Sequence, residues 1–215
     1  MSLTLHLHPL ASYCWKVLIA FYENDTPFRP ALVDLGDEAS RNAFKALWPV
    51  GKMPVLHDEG RGQVVPESTV IIEYLDRHYP GRTAFIPADG DLAWQTRLRD
   101  RFYDHYVHEP MQKIVGDRIR PAGTQDPYGV EAARTTLRGS YDMIERDMAG
   151  RAWAMGEDFT LADCAAAPAL HYAGKVEPFS ANRPHLTAYL DRLTKRPAFA
   201  RVIEEAQPYF HMFPG

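Results

Sequence analysis

The spacing of apolar and polar residues changes character along the chain. Leu3-Thr-Leu-His-Leu7 alternates with period two and predicts a strand that stops before Pro9. Residues 15–24 switch to helical spacing, with Val17, Leu18, Phe21 and Tyr22 on one side. Residues 28–33 predict a second short strand, and residues 38–47 a helix carrying Ala43, Phe44 and Leu47 on its apolar side. Residues 54–57 and 63–65 predict two strands around the turn Asp58-Glu-Gly-Arg-Gly62, a hairpin signal. Residues 67–79 predict a helix halted by Pro80-Gly81. The order β-α-β-α-β-β-α favours a parallel crossover followed by an antiparallel edge.

Residues 81–90 read as a linker, with Pro87 and several turn residues. After it no strand signal competes. Residues 91–119 predict a long helix with a kink at Pro110, residues 121–129 a loop, and residues 130–148, 161–172, 184–195 and 198–206 further helices. The expected class is therefore α/β plus all-α: residues 1–80 as a small α/β domain and residues 91–215 as a helical bundle.

A chain of 215 residues, 46% hydrophobic and 24% charged, can bury a core without staples. Its formal net charge of −4 counts against nucleic acid as a partner. The only cysteines are Cys14 and Cys164, and the start of the chain lacks a basic segment leading into a long apolar run. The longest stretch without polar side chains, residues 164–170, is too short to span a bilayer and contains Pro168. These features predict a protein of the reducing cytoplasm that neither spans nor needs a membrane.

Three segments carry candidate chemistry. Ala11-Ser-Tyr-Cys-Trp-Lys-Val17 lies where the first strand turns into the first helix. Unpaired N–H groups and a partial positive charge gather there, so a thiol is easier to ionise. Ser12 can serve that chemistry or can simply cap the helix. Lys52-Met-Pro-Val55 precedes the hairpin; a cis Met53–Pro54 bond would turn the Met53 N–H and C=O outward, where an extended peptide can pair with them. Val65-Pro-Glu-Ser-Thr69 opens the third helix with Glu67 and Ser68, able to take an ammonium and a carboxylate, or merely to complement the helix dipole.

Other features read as structural. Thr160-Leu-Ala-Asp163 has capping-box spacing ahead of an almost wholly apolar helix, which makes Asp163 a structural carboxylate and Cys164 a core residue. In Tyr103-Asp-His-Tyr-Val-His-Glu109, His105 and His108 can share a helical face, but a third firm ligand is not evident, so no metal is expected. Tyr103 and Tyr106 are candidates for lining a second pocket, or packing residues. His6 and His8 read as ordinary strand residues.

Taken together, Ser12 with Cys14 at the first helix, Met53-Pro54 before the hairpin, Glu67-Ser68 at the third helix and the segment Trp153–Asp163 resemble a cytosolic glutathione S-transferase over nearly the whole chain. The zeta-like and related bacterial members are the most similar. That resemblance implies a thioredoxin-like N-terminal domain, a helical-bundle C-terminal domain, a homodimer, and glutathione as co-substrate with a small electrophile. It gives Met53 the cysteinyl backbone of glutathione, Glu67 and Ser68 the γ-glutamyl end, and Lys52 the neighbourhood of the glycine carboxylate. An ungapped match puts Ala11 where relatives have a first serine, leaving Ser12 as the expected thiolate-stabilising residue and Cys14 in reserve. Ala11-Ser-Tyr-Cys14 also resembles the glutaredoxin Cys-Pro-Tyr-Cys with its first cysteine lost; a dithiol enzyme needs both thiols, so an intramolecular disulfide at this turn is excluded. A glutathione-dependent isomerase, a thiol-exchange enzyme and a non-catalytic binding protein on the same fold are the rival readings.

Overall fold

The computed structural model describes residues 2–179 and 181–214. Strand β1 (Leu3–Leu7) lies inside a four-stranded sheet of order β2-β1-β3-β4, with β2 (Arg29–Leu32), β3 (Val55–Asp58) and β4 (Gln63–Pro66). β1 runs parallel to β2, with Leu5 opposite Pro30, and antiparallel to β3, with Leu5 opposite Leu56. β3 and β4 form the antiparallel hairpin. Helices α1 (Ser12–Glu23) and α3 (Ser68–His78) share the main core with Leu3, Leu5 and Leu7. Helix α2 (Glu38–Leu47) uses Phe44 to close a smaller cluster with Val33 and Val55. This is the thioredoxin-like arrangement.

The second half is helical: α4 (Gly90–Phe102), a π-helical turn (Tyr103–His108), α5 (Glu109–Arg118), α6 (Pro127–Met148), α7 (Leu161–Val176), α8 (Pro184–Lys195), α9 (Pro197–Ala206) and a closing 3₁₀ turn (Gln207–Met212). Helix α7 is the axis, buried at every residue from Leu161 to Leu170. Its small side chains Ala162, Ala165, Ala166 and Ala169 let α1, α4 and the π turn approach closely. Helix α1 is nearly as buried, because the sheet and α3 lie against it on one side and α7 and α9 on the other. Trp15, Ile19 and Phe21 are fully enclosed, each stabilising the fold by about 1.5–3 kcal/mol. No helix among the described residues is long and apolar enough to cross a membrane.

Asp163 holds α7 in place. Its carboxylate accepts the N–H groups of Ala154 (2.8 Å) and Thr160 (2.9 Å) and the hydroxyl of Tyr189 (2.6 Å), and the capping box with Thr160 is complete. A helix end with no access to water must find partners inside the protein. Cys164 beside it is a buried core residue.

Several local expectations need correction. Helix α1 begins at Ser12, three residues before its apolar spacing starts, because the Ala11 carbonyl already accepts from Cys14 (2.8 Å) and Trp15 (3.1 Å). Helix α6 starts at Pro127, pre-organised for a first turn. Helix α7 runs through Pro168 to Val176. The expected kink at Pro110 falls one turn earlier. Pro110 has no N–H to offer the Tyr106 carbonyl, which accepts from Ser140 Oγ instead (2.8 Å). The turn widens over Tyr103–His108, and the Glu109 N–H reaches back five residues to the Asp104 carbonyl.

Candidate active site

A cleft of about 1270 Å³ lies between the two halves. It is bordered by the start of α1, the loop before β3, the start of α3, and the stretch from α4 to α5. Ser12, Lys52, Met53, Pro54, Glu67 and Ser68 all line it, so six of the seven residues singled out from the sequence meet in one cavity. The Met53–Pro54 peptide bond is cis. Glu67 has φ +73° and ψ 120°, a conformation uncommon for a residue with a side chain. Its carboxylate is not spent on capping α3, and the residue is exposed at the cleft.

Cys14 is the seventh, and it is not in the cleft. It is 0% exposed, within the core under the sheet, and burial pushes its thiol up to about 12. Two residues along a helix turn the side chain by about 200°, which sends Cys14 inward when Ser12 faces the cavity.

Ser12 does not cap its helix; the capping position belongs to Ala11. Its Oγ instead makes a short hydrogen bond to Nε2 of His108, on the π turn. The Tyr13 ring lies 4.1 Å from the His108 ring. Burial, and secondarily the charge of Lys16, press the imidazole down to about 3, so His108 is neutral at physiological pH. A neutral imidazole has one N–H and one bare nitrogen. Nδ1 has no hydrogen-bond partner among the described residues, and a buried orphan N–H costs more than an idle lone pair. The favoured tautomer therefore places the proton on Nε2, donating to Ser12 Oγ, and leaves the Ser12 O–H free to point into the cleft.

Behind this pair lies a buried charge cluster. Lys16, one turn after Ser12 and 1% exposed, pairs with Asp100 (2.5 Å) and Asp104 (2.9 Å) and donates to Thr69 Oγ1 (2.9 Å). Arg101 completes it from the rim, bonding Asp100 (2.7 Å) and Asp104 (2.5 Å). Two cations and two carboxylates compensate one another, as buried ions must.

The aromatic candidates fare differently. Tyr103 is buried against Phe102, and Tyr106 is exposed; neither lines the cleft. His105 and His108 do, but in different roles: His105 donates from Nδ1 to Glu109 (2.6 Å), whereas His108 faces Ser12. The Ser12–His108 contact, the Lys16 cluster and the cleft position of Tyr13 were not foreseen. No group of three or more metal-capable side chains occurs among the described residues.

A thioredoxin-like domain with a cis-proline loop and a helix start opening onto one cleft defines a class of thiol-handling proteins. Residues 5–83 match the family model for the glutathione S-transferase N-terminal domain, and residues 102–197 that for the C-terminal domain. The chain is 30% identical to glutathione S-transferase 3 of Zea mays, over 94% of this chain and 93% of that one. It is 29% identical to maleylpyruvate isomerase of Ralstonia sp, over 90% and 92%. A crystal structure of a glutathione S-transferase from Methylobacillus flagellatus with glutathione bound superposes with TM-score 0.85 at 26% identity, covering 94% of this chain and 98% of that one. The chain belongs to the glutathione S-transferase family, and glutathione is its co-substrate.

Proposed function

We propose that this enzyme activates glutathione at the start of α1 and transfers its sulfur to a small electrophile. The observation that carries the reading is the Ser12 hydroxyl, supported from behind by His108 and free to donate into the cleft. Glutathione lies with its cysteinyl backbone against Met53, its γ-glutamyl end at Glu67 and Ser68, and its glycine carboxylate towards Lys52. The thiol loses its proton to solvent, and the Ser12 O–H and the helix-start N–H groups stabilise the thiolate. The thiolate then attacks an electrophilic carbon held against the far wall. Cys14 takes no part, since its sulfur faces the core.

The same reading makes the chain a homodimer of the reducing cytoplasm with a detoxifying role. Trp94 and Leu98, one turn apart on α4, are exposed apolar side chains, as is Val70 on α3, and such exposure favours a second copy. Two buried, unpaired cysteines favour a reducing compartment. A glutathione-dependent isomerase remains the second reading because of the likeness to the Ralstonia isomerase.

The test compares Ser12→Ala with Cys14→Ser in a glutathione-conjugation assay. Ser12→Ala is expected to slow conjugation at least about tenfold, equivalent to ~1.4 kcal/mol of transition-state stabilisation. Cys14→Ser should do much less. If Cys14→Ser abolishes turnover while Ser12→Ala leaves it intact, the chemistry is cysteine-based and the proposal fails.

A further inference from the structure

The cleft is electrically lopsided. Its cations are Lys52, Arg97 and Arg101. Arg97 is paired with Glu73 (2.8 Å) and Arg101 with Asp100 and Asp104, so Lys52 beside the cis peptide is the cleft cation without an ion pair among the described residues. Leu10, Leu35, Ile119 and Met212 give the cleft apolar lining, and Asp34 and Glu109 are lining carboxylates without a Lys or Arg ion pair among the described residues. Burial lowers two of its histidines, His8 and His108, the latter to about 3, so neither supplies a positive charge. Tyr13, which also lines the cleft, senses the surrounding charges. Its phenol is raised first by burial and then by Asp104 and Glu109, with Arg101 opposing.

We propose that the Glu109 carboxylate, held at the cleft wall by the His105 Nδ1–H, is a charge filter that makes the enzyme select uncharged electrophiles over carboxylate-bearing ones. Glu109 is the first residue after the π turn, so the widened turn that aims His108 at Ser12 also brings this residue to the cleft. A carboxylate docked beside Glu109 would meet carboxylates that no Lys or Arg pairs among the described residues, whereas Arg97 and Arg101 are already spent on Glu73, Asp100 and Asp104, and like charges facing one another weaken binding. The inference rests on the transferase reading above. It also opposes the isomerase reading, since a maleylpyruvate-like substrate bears carboxylates that need a cationic clamp.

A matched pair of aryl chlorides tests it: methyl 4-chloro-3-nitrobenzoate and the free 4-chloro-3-nitrobenzoate anion. In both, the glutathione sulfur bonds to the chlorine-bearing ring carbon, the C–Cl pair leaves as chloride, and the thiol proton goes to buffer. Each kcat/KM is divided by the uncatalysed rate constant with glutathione, at pH 8, above the range in which free imidazole titrates. The ester is expected to be preferred by roughly fivefold or more at low salt, and the preference should shrink at 0.5 M NaCl as the charges are screened, at about a Debye length of 4 Å. Glu109→Gln should cut the preference at least about threefold, and Glu109→Lys should reverse it, with the reversed preference again salt-sensitive. Ester turnover in each variant reports that it is folded. Equal normalised rates for ester and acid in the wild type, or a preference unmoved by Glu109→Lys and by salt, would overturn the filter while leaving the transferase reading intact. Absence of turnover with either compound would instead remove the transferase reading on which the filter rests.

Discussion

Replacing His108 with glutamine separates two things that histidine does at once. The glutamine amide can still donate to Ser12 Oγ, but it cannot titrate. In the folded protein the His108 imidazole is held down to about 3, against 6.5 for a free side chain. Between these values the unfolded chain binds a proton that the native state refuses. Stability therefore rises with pH across this window and is lost as pH falls from 6.5 towards 3. At pH 4.5 the unfolded state gains roughly 2.7 kcal/mol from this one group, two pH units at ~1.36 kcal/mol each. At pH 7.5 the gain is close to zero. Urea denaturation of wild type and His108→Gln at both pH values isolates the contribution, because His171 and the carboxylates titrate in both proteins and cancel. The wild type should lose about 2–3 kcal/mol more than the variant on going from pH 7.5 to 4.5. The variant should also retain most of its conjugation rate, whereas His108→Leu, which offers Ser12 nothing, should not. Identical acid sensitivity in wild type and His108→Gln would refute the buried, neutral imidazole and the tautomer argued from it.

Two further outcomes follow from the geometry. Glu67→Gly should keep or raise the melting temperature, since glycine adopts φ +73° without strain, yet calorimetry should show glutathione binding weakened by roughly 1–3 kcal/mol; unchanged affinity would remove Glu67 from the site. Asp163→Ala should cost about 2–4 kcal/mol in denaturant, more than the ~0.5–2 of a helix cap alone, because the Ala154 N–H and the Tyr189 hydroxyl also lose their acceptor. A variant with wild-type stability but no turnover would make Asp163 catalytic after all.

What could be read from the sequence was what repeats or sits close together in it. The alternation at Leu3–Leu7, the turn before Gln63 and the capping spacing of Thr160 and Asp163 each announce their structure within a few residues. The gathering of Met53, Glu67 and Ser68 into one cleft was legible through family resemblance, and the inward turn of Cys14 from helical geometry. What stayed hidden depends on partners far away in the chain. Ser12 and His108 are 96 positions apart, and nothing near either marks the contact. The π turn needs Ser140 to take up the carbonyl that Pro110 abandons, and so appeared only as a kink at the proline. Whether Tyr103 and Tyr106 line a pocket or pack is not decided by their rings alone; the widened turn gives the cleft lining to His105, His108 and Glu109.

The Lys16 cluster bears on how such chains can be recombined. The linker between α3 and α4 looks like a natural cut site, with one module on each side. Yet Lys16 belongs to the first module and Asp100 and Asp104 to the second, while Thr69 returns the bond to the first. A first half grafted onto a relative's second half would bring a buried ammonium that its new neighbour is not obliged to neutralise, along with Trp15 seeking the rings of His171 and Tyr172. The heritable unit at this joint is thus the lysine together with its two aspartates, and shuffling that respects the linker but splits that trio swaps a working seam for an orphaned charge.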